Sequence, residues 1–220
     1  MPDGFVDLLP ELGNALGQTL TMLAIGVVAA LMFGGPLGIL LFLAGTGPAP
    51  AQRPLARLLG WTVNAIRTFP FAVLLVALLP VTRILAGTAI GPLAAAVPLS
   101  IAGVPWFARR VEQALADVPR GVVDAGQAMG ASRLQVVLHV LLVEARPGLV
   151  VALAALVLLV LSYAAVAGLV GGGGIGAFVL RYGYERFDAD IMVFTVALLA
   201  ALVQVIQLTG TRWARRVDKR

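Results

Sequence analysis

The chain has 220 residues, of which 60% are hydrophobic and only 12% are charged. A soluble domain of this size needs a much more charged surface, so the composition excludes an ordinary soluble protein and indicates an integral membrane protein. The absence of cysteine excludes disulfides and thiolate sites, and the net charge of +5 does not indicate nucleic acid binding because the cations lie between apolar stretches.

The apolar stretches predict an all-α membrane protein with five transmembrane helices in a single domain, residues 1–220. The predicted spans cover about residues 18–43, 64–79, 90–107, 147–170 and 191–209. A loop containing glycine and proline, residues 45–50, follows the first span. A more polar loop, about residues 118–145, separates the third span from the fourth.

The cations predict the orientation, because Lys and Arg are enriched on the cytoplasmic side. One side of the predicted bundle carries most of them: Arg53, Arg57, Arg109, Arg110, Arg120, Arg133, Arg146, Arg212, Arg215, Arg216, Lys219 and Arg220. The other side carries Arg83, Arg181 and Arg186 together with Asp3, Asp7, Glu11, Glu185, Asp188 and Asp190. We therefore expect the N-terminus outside and the C-terminus in the cytoplasm.

Several spans contain residues that suggest close packing or a solute path. The small residues of Gly34–Gly38 favour close helix packing over a kink around a pore. The third span, with Pro98, Gly103 and Pro105, is the better pore candidate, because broken helices are tolerated where they are buried or line a cavity. In the fourth span, Ser162 and Tyr163 could line such a path, although helix–helix hydrogen bonds explain them equally well.

The loop at 118–145 has a helical pattern of its own. Apolar residues at Val122, Ala125 and Met129 predict a short helix, which Gly130 ends as a C-terminal cap. Ser132 and Gln135 then form a capping-box pattern. A second helix is predicted by the apolar positions that follow: Leu134, Val137, Leu138, Leu141 and Leu142. The first helix could lie on the membrane surface or dock into a soluble partner, and its short, weakly apolar face favours docking.

In this loop the sequence resembles the permeases of bacterial ABC importers. Their coupling-loop signature reads Glu-Ala-Ala, then Gly, then Ile-x-Leu-Pro, and it is similar to Asp124-Ala125-Gly126, Gly130 and Val140-Leu141-Leu142 here. Asp replaces the usual Glu, and Val143 stands at the usual Pro. The resemblance covers nearly the whole chain and is greatest to the methionine-uptake type. The other segments that carry it are Arg67–Phe71, Val97–Leu99, Pro105–Glu112, Ala128–Ala131, Gly168–Gly176 and Tyr182–Tyr184.

The resemblance implies a multi-pass permease of the inner membrane that works as a homodimer by alternating access. It implies two copies of a cytoplasmic ATPase, which bind the ATP and Mg, and an extracytoplasmic binding lipoprotein. The cargo would be methionine, with another amino acid or an osmolyte as the alternative. By the same resemblance, the residues that couple to the ATPase are Asp124, Ala125, Gly126, Ala128, Met129, Gly130, Ala131 and Ser132.

The remaining motifs give less information about function. The only lysine is Lys219, so no phosphate-binding loop can occur and the chain is expected to be no enzyme and to need no cofactor of its own. The spacing of Gly171, Gly173 and Gly176 matches a dinucleotide-binding pattern without its βαβ context, and predicts instead a flexible break, with a hinge or gate as a further hypothesis. His139 is expected on a polar helix face.

The alternative function is an ion-coupled carrier or channel, although no acidic residue lies in the middle of a span.

Overall fold

The structure is a computed structural model that describes residues 8–46 and 53–217. Every regular element in these two ranges is helical, as the sequence predicts. The α-helices are α1 (Leu9–Ala29), α2 (Gly35–Thr46), α3 (Arg53–Thr68), α4 (Phe71–Ala77), α5 (Leu79–Ala86), α6 (Pro92–Ala116), α7 (Arg120–Ala128), α8 (Arg133–Gln135), α9 (Leu142–Glu144), α10 (Arg146–Ala167), α11 (Gly174–Phe178) and α12 (Ala189–Val217). Four π-helical segments connect neighbours: Ala30–Gly34, Val136–Leu141, Gly168–Gly172 and Val179–Tyr184.

Three helices in the described ranges are long and apolar enough to cross a membrane. They are Leu9–Gly45, Arg146–Gly172 and Ala189–Val217. A bent pair, Arg57–Thr68 with Phe71–Ala77, meets the same criteria if it forms one span. The predicted loop at 45–50 falls largely outside the described residues.

The second predicted span is not a straight helix over residues 64–79. Instead α3 ends at Thr68, and the chain bends by 103° before α4 begins at Phe71. Pro70 causes the break: it has no N–H to continue the helix, and its ring disfavours helical backbone at the residue before it. A further break at Leu78 precedes Pro80, in the first turn of α5.

The long first helix packs against α6 through glycines, which confirms the packing interpretation of Gly34–Gly38. A β-carbon at Gly34 would lie 2.6 Å from the Val104 carbonyl oxygen, and one at Gly38 would lie 2.6 Å from Val111 Cβ. Only glycine lets the two backbones approach this closely. The π-helical segment Ala30–Gly34 lies at the same contact.

Helix α6 lies at the centre of the bundle, between the first helix and α10. The core contains Met22, Leu99, Leu156 and Val160, each with no exposed surface. Both prolines inside α6, Pro98 and Pro105, are buried. The helix nevertheless continues through both prolines, so the broken helix expected for the third span is not observed, and neighbouring helices enclose the prolines in the packed interior.

A closely packed glycine turn ends α10, as the sequence predicts. Gly171 and Gly173 have φ values of 94° and 78°. Backbone N–H groups beyond the turn donate to the first helix: Gly174 to Gln18 Oε1 at 2.7 Å and Ile175 to Thr19 Oγ1 at 2.9 Å. The Gly91 N–H also donates to the Gly171 carbonyl at 2.9 Å. The glycine run is therefore hydrogen-bonded to two neighbouring helices.

Candidate functional site

The loop between α6 and α10 forms a helical hairpin whose turn is at Gly130. Gly130 has a φ of 84°, the left-handed conformation that glycine adopts without strain. The Ala131 N–H donates to the Gly126 carbonyl at 3.2 Å, and the Gly130 N–H donates to the Gln127 carbonyl at 2.9 Å. These two bonds form a Schellman motif at the end of α7. The predicted glycine cap is confirmed.

The predicted capping box is also present at the start of the second helix of the hairpin. The Ser132 N–H donates to Gln135 Oε1 at 2.8 Å, and the Gln135 N–H lies 3.4 Å from Ser132 Oγ. This reciprocal pair satisfies two backbone donors that have no partner inside the helix. The turn between the helices is therefore fixed on both sides.

The predicted apolar stripe of the second helix is wrong in part. Val137 and Leu141 are buried, but Leu134 is 67% exposed and Leu138 is 48% exposed, while Val136 is buried instead. Leu142 is half-buried. The π-helical segment Val136–Leu141 explains the difference, because its wider turns shift the inward face away from the 3.6-residue period.

Helix α7 packs on this second helix through Gly126, and its half-buried Val123 also contacts the core. Gly126 is the only buried residue of α7, and a β-carbon there would lie 3.3 Å from Val140 Cγ2. The flank of α7 next to Gly126 is open: Val122 is 39% exposed and Met129, just after the helix, is 84% exposed. We call the surface of Val122, Ala125 and Met129 the α7 face.

The structure brings the predicted coupling residues together around this turn. Asp124, Ala125, Ala128, Met129, Gly130 and Ser132 are exposed, Ala131 is half-buried and Gly126 is buried. His139 lies exposed on the neighbouring segment. Among residues 8–46 and 53–217, no three His, Cys, Asp or Glu side chains are close enough together to hold a metal ion.

Apolar contacts attach the hairpin to the helix bundle. Leu115 and Val118, at the end of α6, belong to the same core cluster as Val137, Leu141 and Ala145. Val143, at the family's proline position, is 40% exposed at the junction with α10, whose second residue is Pro147. A displacement of α7 would therefore be transmitted to α6 and α10 through packed side chains.

The candidate path residues lie in two different environments. Ser162 is exposed on α10, and its hydroxyl donates to the Leu158 carbonyl at 2.9 Å. Tyr163 is half-buried and stacks on Phe71, with ring centroids 4.2 Å apart and an interplanar angle of 3°. Pro98 and Gly103, in contrast, are buried inside the protomer. A β-carbon on Gly103 would lie 3.6 Å from Ala30 Cβ, which places this glycine in helix packing.

An arginine cluster joins α3 to α6 near the hairpin end of the bundle. Arg109 donates to the Gly60 carbonyl at 2.9 Å and pairs with Glu112 at 2.6 Å. The Arg110 guanidinium lies 4.9 Å from the centre of the Trp106 ring. The bond to Gly60 joins α3 to α6, whereas the contacts to Glu112 and Trp106 lie within α6 and orient its two arginines.

Sequence reasoning missed Phe71 as the stacking partner of Tyr163, and Gln18 and Thr19 as acceptors for the glycine turn. Phe71 gave no signal, because one aromatic residue in an apolar stretch is ordinary. Gln18 and Thr19 did give a signal, because they are two adjacent hydrogen-bonding side chains at the start of an apolar stretch. Buried polar groups need partners, so such a pair at a helix face indicates a tertiary hydrogen bond.

Comparison with known proteins places this geometry in context. The family model described as "binding-protein-dependent transport system inner membrane component" matches residues 34–220. A probable D-methionine transport system permease protein of Vibrio cholerae is 46% identical over 94% of this chain and 92% of its own length. The methionine import system permease protein of Bacillus subtilis is 34% identical over 96% of each chain.

Solved structures agree with the sequence relatives. A chain of a methionine ABC transporter in an inward-facing conformation has a TM-score of 0.92 and 38% identity, and the match covers 100% of both chains. A chain of an amino acid ABC transporter has a TM-score of 0.77 at 16% identity, covering 98% of this chain and 100% of its own length, which shows a shared fold.

Proposed function

The chain belongs to the family of inner membrane components of binding-protein-dependent transport systems, and from this premise we propose that it is the permease of an ATP-driven methionine importer. Its substrate follows from relatives named for methionine or D-methionine transport, which match nearly the whole chain. A zwitterion with an apolar tail needs little fixed charge along its path. This agrees with spans that carry few ionisable groups.

The observation that carries the proposal is the open α7 face. A nine-residue helix is too short to be stable alone, yet α7 is closed by a Schellman motif and seated through Gly126. Met129 is 84% exposed, so contacts within the protomer do not stabilise the α7 face. It suits insertion of the helix into a groove on a soluble ATPase subunit.

The proposed topology has five crossings, with the N-terminus outside and the C-terminus in the cytoplasm. The crossings are the long first helix, the bent segment of α3 to α5, then α6, α10 and α12. In this arrangement α7 and the arginine-rich helix ends lie in the cytoplasm, which the distribution of cations favours. The glycine turn and the start of α12 lie outside.

One protomer encloses too little space for a solute path, so the proposed unit is a homodimer with two ATPase subunits that bind ATP and Mg. A binding protein delivers methionine from outside. When the ATPase pair closes, α7 moves with it and tilts α6 and α10 through the packed root of the hairpin. Transport results because ATP, substrate and binding protein favour different states of one equilibrium.

The proposed path runs along Ser162 and Tyr163. Both reach the surface of α10, and the Phe71 stack holds the Tyr163 ring in place. Pro98 and Gly103 would act indirectly, by shaping the interior of α6. A thioether side chain can pass along aromatic surfaces favourably.

Reconstitution tests the proposal. Proteoliposomes that contain the permease, its ATPase and the binding protein should accumulate labelled methionine when ATP is supplied inside, and Gly130→Arg should abolish ATPase association without affecting membrane insertion. Methionine uptake by the permease alone along an ion gradient would contradict it. Preferential uptake of another amino acid or an osmolyte would support the permease function but with a different substrate.

A further inference from the structure

The turn that leads into α12 has an unusual backbone. Phe187 has a φ of 54°, and among the described residues it is the one non-glycine residue with a positive φ. This conformation crowds the β-carbon, and a bulky residue rarely adopts it. Glycine would adopt a positive φ freely, as six glycines in the described ranges do.

The turn is fixed on both sides of Phe187. Its N–H donates to the Tyr184 carbonyl at 3.3 Å. The next residue, Asp188, caps α12, since its Oδ1 accepts from the backbone N–H groups of Asp190 and Ile191, each at 3.1 Å. These bonds hold the backbone on both sides of Phe187 and so fix the direction of its Cα–Cβ bond.

The strained backbone holds an aromatic ring in the open. Phe187 is 89% exposed, and its neighbour Tyr184, whose ring centroid lies 6.4 Å away, is 62% exposed. Arg186 is also exposed, and its guanidinium lies 4.6 Å from the centre of the Tyr182 ring. The protomer gains no burial from Phe187, so its own folding does not explain a phenyl group here.

Insertion of this pair into lipid is unfavourable because of its neighbours. Glu185 and Asp190 are exposed on either side, and Asp188 is half-buried between them. Moving Phe187 into the bilayer would bring these carboxylates with it, and desolvating them is costly. An aromatic pair among carboxylates suits a protein surface that has an apolar pocket with a basic rim.

We propose that Tyr184 and Phe187 are the docking point for the extracytoplasmic binding protein. Phe187 enters an apolar pocket on that protein, and Glu185, Asp188 and Asp190 meet basic residues at the pocket's edge. The inference rests on the proposed function and its orientation.

The first test compares three variants of the reconstituted complex, with ATPase activity measured against the concentration of binding protein. Phe187→Gly removes the ring and relieves the backbone, so the protein should be at least as stable as wild type. The half-maximal concentration of binding protein should nevertheless rise roughly tenfold or more. Phe187→Ala should show the same rise, whereas Phe187→Trp should retain near wild-type coupling. A normal half-maximal concentration for Phe187→Gly would overturn the proposal.

The second test separates this proposal from the importer itself. Because the chain has no cysteine, Ala189→Cys, at an exposed position close to Phe187 that leaves both aromatic rings in place, is a unique site for a membrane-impermeant maleimide in spheroplasts. Labelling from outside that the binding protein blocks supports the docking point. Labelling that it does not block, or a cross-link to a second copy instead, overturns the docking point and leaves the importer standing. Labelling only after permeabilisation overturns the proposed orientation and the docking point together.

Discussion

The hydroxyl oxygen of Thr19 accepts a hydrogen bond from the backbone N–H of Ile175 at 2.9 Å, although 156 residues separate them in sequence. Thr19 is 4% exposed and Ile175 is 1% exposed. Thr19 thus supplies the partner for a buried amide just beyond the glycine turn. This bond joins the first helix to the start of α11.

Thr19→Val should destabilise the protein by about 1–3 kcal/mol, because it keeps the shape and leaves the Ile175 amide buried without an acceptor. Thermal unfolding in detergent measures the loss. Thr21→Val is the matched control, since Thr21 is exposed and bonds only to the Gly17 carbonyl within its own helix. Equal unfolding temperatures for the two variants would contradict this role of Thr19.

Gly174→Ala should also destabilise the protein. Gly174 has a φ of 73°, and a β-carbon there would lie 2.6 Å from Thr19 Oγ1 and 2.8 Å from Met22 Cε. Gly17→Ala is the control: no atom lies within 4 Å of its β-carbon position, and alanine favours the helix by roughly 0.5–1 kcal/mol. Loss of transport in Gly174→Ala would consequently indicate a hinge only if the unfolding temperature stayed unchanged.

A pH-dependent contribution to stability is expected from Tyr182. Its hydroxyl donates to the Glu11 carboxylate, and this bond, followed by burial, raises the pKa of Tyr182 above its ordinary value. The contribution is therefore full at neutral pH and is lost as the pH rises from about 10 towards the raised pKa, because the unfolded phenol ionises first. Unfolding temperatures of wild type and Tyr182→Phe should differ by a constant amount at pH 7–9 and converge above that. A constant difference through pH 11 would count against the assignment.

Tyr163→Leu should reduce methionine uptake several-fold while the complex still assembles, because the stacked aromatic surface along the proposed path is lost. Tyr163→Phe keeps the stack on Phe71 and should transport normally. Initial uptake rates at varied methionine concentration, with co-purification of the ATPase as the assembly control, separate the two variants. If Tyr163→Leu transports as wild type does, Tyr163 lies outside the path.

The sequence predicted well those features that depend on local chemistry. The left-handed cap at Gly130 and the box of Ser132 and Gln135 each involve residues within a few positions of one another, so composition and spacing suffice. The same is true of the close approach at Gly34 and Gly38, since small residues one turn apart share a face.

The sequence interpretation missed one local break and the features that depend on distant partners. The bend at Pro70 was hidden because residues 64–79 are apolar enough to resemble one span, although a proline in the interior already argued against a straight helix. The π-helical segment Val136–Leu141 has no sequence pattern of its own, and its Val136 and Val140 lie beside Gly126 of α7. The stack of Tyr163 on Phe71 joins helices that are far apart in sequence.

The most direct measurement of the central claim is the co-purification of the ATPase with Met129→Arg. Met129 is 84% exposed, so the substitution should leave the permease folded, with an unchanged unfolding temperature. We expect ATPase recovery to fall at least about tenfold, because a charge enters the α7 face, while the exposed control His139→Arg retains it. A Met129→Arg permease that still binds its ATPase and imports methionine at the wild-type rate would contradict the account.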